Sequence, residues 1–312
     1  MNKKTAKKPS SSGHVLGQII GNWFEEYFAY KLLLEIAKQL DLYLDSRYVK
    51  RKCRESKIAW KDFDGNSTNY DFVLELDGTV DSLGIPIAFF ETFWRRGARH
   101  SKDKARDDSG KLKPMFDTYP TLKVLAIIAA GDFTEPAQIL VRSQFIDLFY
   151  IEKNKILEAW NHFGVEIDYP DNASEDHKSA VLEKVKEQLK QDKKLKEKVA
   201  NQLCEQLGKP TIHGFQDRIR GILSSLPIKF TLSFSKNSNS YDFARLGEVA
   251  EFLKNFVVED MNFESELYVN YEILYSEGTR FTRKNIPIQE AQNLNNQMSK
   301  LIDHMEKIYS NN

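Results

Sequence analysis

Apolar positions along the chain fall into blocks of distinct period. Residues 15 to 40 repeat with helical spacing through Leu16, Ile20, Trp23, Phe24, Tyr27, Phe28, Leu33, Ile36 and Leu40, which predicts a long, substantially buried helix. Tyr70 to Asp77 and Ile85 to Arg96 are apolar runs of strand length joined by a short polar loop, so they predict a hairpin. A charged, helix-compatible stretch follows from Ala98 to about Met115. Thr121 to Gly131 is continuously apolar and ends in glycine, as expected of a strand covered on both faces. A helix from Pro136 to Ser143 and a strand from Ile146 to Ile151 complete a strand-helix-strand unit.

Residues 175 to 209 carry only a thin apolar stripe, Val181, Val185, Leu189, Leu195, Val199 and Leu203, among Lys, Glu, Gln and Asp. They predict one or two solvated helices bridging two halves. Beyond Pro210, strands are expected at Ile228 to Phe234 and Glu266 to Tyr275, with helices near Leu246 to Phe256 and Ile288 to Tyr309. The expected fold is α/β (α+β), a mixed central sheet with flanking helices and a smaller C-terminal α+β module. Its divisions are a disordered basic tail (1–14), a core (15–170), the helical bridge (171–209) and the C-terminal module (210–312).

Composition narrows the function classes. A chain of 312 residues with 41% hydrophobic content can bury a sizeable core, and 45 basic residues balance 45 acidic ones. Bulk charge therefore points to no polyanionic partner; only local clusters can. Cys53 and Cys204 fit neither a metal-ligand spacing nor a disulfide framework, and no segment has the apolar length of a membrane span. The chain reads as soluble, cytoplasmic and without a membrane partner. A glycine-rich dinucleotide loop and a phosphate-binding P-loop are both missing, which argues against a methyltransferase or nucleotide-driven motor.

The hairpin carries the chemistry. With Asp77 opposite Ile85 in an antiparallel pair, Asp71 falls opposite Glu91, and period-two alternation puts Asp71, Glu75 and Glu91 on one face. Facing carboxylates repel, so a fold that keeps them needs a cation or a shared proton. A divalent metal is the obvious cation. Immediately after the second strand come Arg95, Arg96, Arg99, Lys102, Lys104 and Arg106, suited to neutralising phosphate. Residues 47 to 61 are also basic, with Arg47, Lys50, Arg51, Lys52, Arg54, Lys57 and Lys61 against Glu55, and read as a solvated face.

This order, a helix with the acidic pair Glu25-Glu26, Asp71 on one strand, Glu91 on the next and a basic helix afterwards, resembles the core of the PD-(D/E)XK nuclease superfamily over about residues 15 to 151. Within it the chain looks most like a type II restriction endonuclease. The resemblance implies a restriction-endonuclease-like sheet and a Mg²⁺-dependent endodeoxyribonuclease acting on double-stranded DNA. It also implies a homodimer if the target is palindromic, and a cognate DNA methyltransferase as partner.

Carried over residue by residue, Asp71 and Glu91 match the two metal-binding acids, with Glu75 and Glu26 as supplementary ligands; Glu26 is preferred to Glu25 for its aromatic neighbours Trp23 and Tyr30. The motif's lysine, two residues after the Glu, is Phe93 here. An aromatic ring cannot stabilise hydroxide, so the role passes to Lys102 or Lys104, while Arg95, Arg96, Arg99 and Lys102 clamp phosphate. His100 reads as a solvated or phosphate-facing imidazole, and Arg218, Arg220, Lys229 and Lys236 as C-terminal recognition or dimer contacts. The alternative, which Phe93 allows, is a catalytically silent nucleic-acid-binding or assembly module.

Overall fold

The computed structural model describes residues 11–99, 101–234, 239–259 and 268–310. Most of the expected 1–14 tail, together with His100 and Lys236, lies outside them. The long amphipathic helix forms from Ser12, capped by the Ser11 hydroxyl: α1 (Ser12–Trp23) passes through a π-helical turn (Phe24–Ala29) into α2 (Tyr30–Gln39). Three short strands follow, β1 (Tyr43–Ser46), β2 (Ile58–Lys61) and β3 (Ser67–Tyr70). The hairpin strands are β4 (Phe72–Leu76) and the long β5 (Ile85–Arg95), and the basic helix is α3 (Ser101–Thr118). The strand-helix-strand unit is β6 (Val124–Gly131), α4 (Glu135–Ser143) and β7 (Asp147–Glu152). Helices α5 (Lys153–Asn161), α6 (Glu175–Gln191), α7 (Leu195–Leu207) and α8 (Lys209–Leu223) come next. The chain closes with β8 (Pro227–Phe234), β9 (Ser240–Phe243), α9 (Leu246–Glu259), β10 (Tyr268–Tyr275), β11 (Arg280–Pro287) and α10 (Ile288–Ser310).

The architecture is mixed α/β with a mixed central sheet and flanking helices. The five strands are ordered β1-β4-β5-β6-β7; β1 runs antiparallel to β4, and β6 runs parallel to β7. Every residue of β4 and of β6 is buried, which accounts for the unbroken apolar composition of β6 and for a β4 that is apolar apart from Glu75. Among the described residues no helix is long and apolar enough to cross a membrane.

Contacts divide the chain into two units that are not contiguous in sequence. Unit 1 comprises Met1–Glu35, Phe90–Gly110 and Ala126–Gln216. Trp23 organises its helices: the indole donates to Lys196 O at 2.8 Å and meets the Trp160 ring edge-on at 5.0 Å. The segment expected to bridge two halves belongs wholly to this unit. There α6 packs on α1 and α7 on α5, and the thin stripe of Val181, Val185, Leu195, Val199 and Leu203 is buried.

Unit 2 comprises Ile36–Phe89, Lys111–Leu125 and Asp217–Asn312. Its four-stranded antiparallel sheet, β11-β10-β8-β9, buries alternate residues of β10, with Val269, Tyr271, Ile273 and Tyr275 turned inward. Lys123, just before β6, reaches the end of α8, where its ammonium donates to Leu223 O at 3.1 Å and to Ser225 O, and lies 4.7 Å from the Tyr275 ring centroid. Desolvation pushes its pKa down to about 8.

The unfolded chain therefore holds this proton up to about pH 10.5 while the folded chain releases it near 8, so the lysine's burial penalty is full below 8 and relieved as pH rises through that window. Denaturant melts of wild type and Lys123→Met between pH 7 and 10.5 should show the wild type gaining up to about 3 kcal/mol relative to the variant. A pH-independent difference would contradict the assignment.

Candidate functional site

Period-two alternation along β5 sets Glu91, Phe93 and Arg95 on one face and Trp94 on the other. Arg96, in the bend just after the strand, is already engaged. Its guanidinium donates to Asp168 at 3.1 Å, Tyr169 O at 2.9 Å and Asp171 at 2.6 Å, and stacks 4.2 Å over the Tyr169 ring. Burial works to lower the Arg96 pKa, but its hydrogen bonds to Asp171 and Asp168 outweigh that and raise it. Lys153 joins from α5, 2.9 Å from Asp168. Two carboxylates thus neutralise Arg96, which ties residues 168–171 to the strand instead of clamping phosphate as expected.

On the first face Glu91 is buried, 2% exposed. Phe93 fills the position of the motif lysine, and the Phe133 ring meets it edge-on at 5.0 Å. Over the same ring, 5.7 Å from its centroid, lies the ammonium of Lys104. Helix α3 thus brings an ammonium over Phe93, on the face that Phe93 shares with Glu91. Lys104 also donates to Asp108 at 2.5 Å, and Asp108 is fully buried. Lys102, two residues earlier, points about 200° around the helix and is exposed, so the structure separates the two lysines that the sequence left equivalent.

The close of the site rests on Gly131. Its φ of +100° is left-handed, and a Cβ there would collide with Arg95 O. Without a side chain the end of β6 comes against β5, where Asp132 N donates to Arg95 O at 2.8 Å. Arg95 shares the Glu91 face and is half-buried, while Arg99 is exposed in the turn before α3.

Of the acidic pair, Glu25 and not Glu26 is buried, at 6% exposed. The expectation for Glu26 assumed regular α-helical spacing, whereas the π-turn Phe24–Ala29 widens the helix at that point and turns Glu25 inward. Asp71 is half-buried at the bend between β3 and β4, so it precedes the strand on which it was expected; it belongs to unit 2 and Glu91 to unit 1. Asp77 is an exposed turn residue with φ of +56°.

Glu75, expected as a supplementary metal ligand, is instead committed to an ion-pair network. Arg51 donates to Glu75 Oε1 at 2.5 Å and Oε2 at 2.7 Å and to Asp45 at 2.8 Å, and all three side chains are fully buried. The remaining donors of Arg51 meet Thr79 O and Ser82 O, and Arg54 adds a second cation to Asp45. Gly84 N completes the shell of Glu75 at 2.6 Å. The basic run 47–61 is thus partly a buried counter-charge, not a uniform solvated wall. Sequence reasoning missed Arg51; the one signal was Asp45 directly after the apolar pair Tyr43-Leu44.

Among the described residues no group of three or more His, Cys, Asp or Glu side chains is arranged to hold a metal ion. Magnesium asks for less, one or two carboxylates with water and substrate phosphate making up the rest, and Glu91 and Glu25, both buried in unit 1, carry the hard oxygen donors it takes. Comparisons with protein-family models, with curated proteins and with solved structures gave no match.

Removing Arg51 leaves Glu75 buried without its counter-charge and Asp45 with Arg54 alone. Urea melts should show Arg51→Met destabilised by about 3–5 kcal/mol, whereas Lys52→Met, whose partner Asp81 is exposed, should change stability by less than about 1 kcal/mol. Equal effects would refute the distinction.

Proposed function

We propose that the chain is a Mg²⁺-dependent endodeoxyribonuclease hydrolysing phosphodiesters in double-stranded DNA, of the PD-(D/E)XK kind and most like a type II restriction endonuclease. The observation that carries this reading is the Lys104 ammonium on the Glu91 face of β5, above the Phe93 that replaces the motif lysine. A surface helix would send such a lysine to solvent. Here it is held over the strand where the motif needs a cation.

In this reading Glu91 would hold Mg²⁺, with Glu25 in place of Glu26 as the helix-borne acid, and Asp71 keeps the role that the resemblance gives it. The bound ion supplies polarisation of a phosphate oxygen and activation of water. Lys104 donates to the scissile phosphate as negative charge grows on its oxygens, a preorganised contact that needs no rearrangement during reaction. With its side chain only 22% exposed beside the buried Phe93, Lys104 keeps that contact partly shielded from bulk water. Arg95, Arg99 and Lys102 anchor flanking phosphates, which orients the duplex but carries no base preference. Cutting both strands of a palindrome would require two copies related by a two-fold axis.

Purified protein incubated with plasmid and phage DNA should give discrete fragments with Mg²⁺ and none with EDTA. Asp71→Ala and Glu91→Ala should abolish cutting, and Lys104→Ala should slow it about 100-fold or more. Lys102→Ala should weaken binding and flatten the salt dependence while sparing the rate at saturating DNA. A mobility shift without fragments would instead favour the silent binding module, and neither result would refute both.

A further inference from the structure

We propose that Asp108 is the positioning residue for Lys104: its buried carboxylate fixes the ammonium on the Glu91 face of β5. The catalytic consequence rests on the nuclease reading above; the anchoring itself rests on the geometry of α3. In the motif as the family writes it, a strand lysine takes its direction from the strand backbone. A lysine on a helix has only its flexible stem, so relocation demands something that pins the charged end.

Asp108 meets that demand. It lies one helical turn after Lys104, shows no exposed surface, and accepts from Nζ at 2.5 Å, while the Phe93 ring bounds the ammonium on another side. The surroundings point the same way. A helix face laid on a sheet is ordinarily apolar, and the second half of α3 obeys this with Leu112 and Met115. Its first half departs from this: Ser101, Asp108 and Ser109 are buried there with Ala105, beside a Lys104 side chain only 22% exposed. Polarity is confined to the part of the helix that reaches Phe93.

Helix stability does not explain the pair. Lysine in the first turn opposes the macrodipole, and Lys followed by an acid four residues later is the less favourable order. The arrangement fits a demand at the strand, not one within α3.

A double-mutant cycle on cleavage decides whether Asp108 acts through Lys104. At saturating DNA, Asp108→Asn should lower kcat about ten- to a hundredfold with little change in KM, and Lys104→Ala with Asp108→Asn should be no slower than Lys104→Ala alone. Multiplicative losses would overturn the proposal. A second readout needs no activity: acylation of native protein with an amine-reactive acetate ester, read at Lys104 by peptide mass spectrometry. Freed from Asp108, the amine turns to solvent, and labelling should rise several-fold in Asp108→Asn; unchanged labelling would overturn the anchor. If Asp108→Asn unfolds at the assay temperature, Asp108→Glu, which keeps the charge and displaces it by one methylene, takes its place: it should lower kcat and raise Lys104 labelling in the same sense, and labelling unchanged from wild type overturns the anchor. Wild type that cuts no DNA refutes the nuclease reading, and the labelling ratio then judges Asp108 by itself.

Discussion

A charge taken out of water must find an opposite charge or enough hydrogen bonds, because the desolvation of one ion costs several kcal/mol and a whole domain is stable by only about 5–15 kcal/mol. Much of this chain is arranged around that constraint. Asp45, Glu75, Glu91 and Asp108 are almost completely buried, as is Arg51. Among them Asp45 is met by Arg51 and Arg54, Glu75 by Arg51 and Asp108 by Lys104. Balanced composition at the scale of the whole chain therefore says little, since the charges that matter are matched locally and out of solvent.

The two matched sites serve different ends. In unit 2 every donor of Arg51 is used, and two of its bonds go to carbonyls of the loop between β4 and β5, so the network shapes a turn and has nothing left to offer a ligand. In unit 1 the Lys104 ammonium donates to the Asp108 carboxylate, and its side chain retains some exposure. An ammonium has three donors, so this ion pair orients the group without exhausting it. That difference is why the proposed chemistry is assigned to Lys104 and not to Arg51, though both are cations among buried acids.

Elements with a strong period are legible in the order of residues. The hairpin, the basic helix, the β6-α4-β7 unit and most C-terminal elements follow from alternation or helical spacing. The short strands β1, β2, β3 and β9 carry four residues each, too few for a period to stand out, and β3 (Ser67–Tyr70) is largely polar. Strand β11 begins Arg-Phe-Thr-Arg-Lys-Asn and reads as a charged loop; its ladder with β10, not its own composition, makes it a strand. The choice between Glu25 and Glu26 failed for a related reason. A π-turn breaks the helical spacing on which the choice depended, and nothing in Phe-Glu-Glu-Tyr announces it.

Residue type and local period are enough to say where the acids and cations stand, that Phe93 breaks the motif, and which segments are buried on both faces. Which charges meet is settled only by the folded chain. Lys102 and Lys104 are chemically the same, and only the packing of α3 sends one to solvent and the other over Phe93; Arg51 and Lys52 are neighbours, and only the turn between β4 and β5 buries one of them. Pairing between side chains far apart in sequence depends on distances in three dimensions, and a one-dimensional pattern of polar and apolar positions does not contain them.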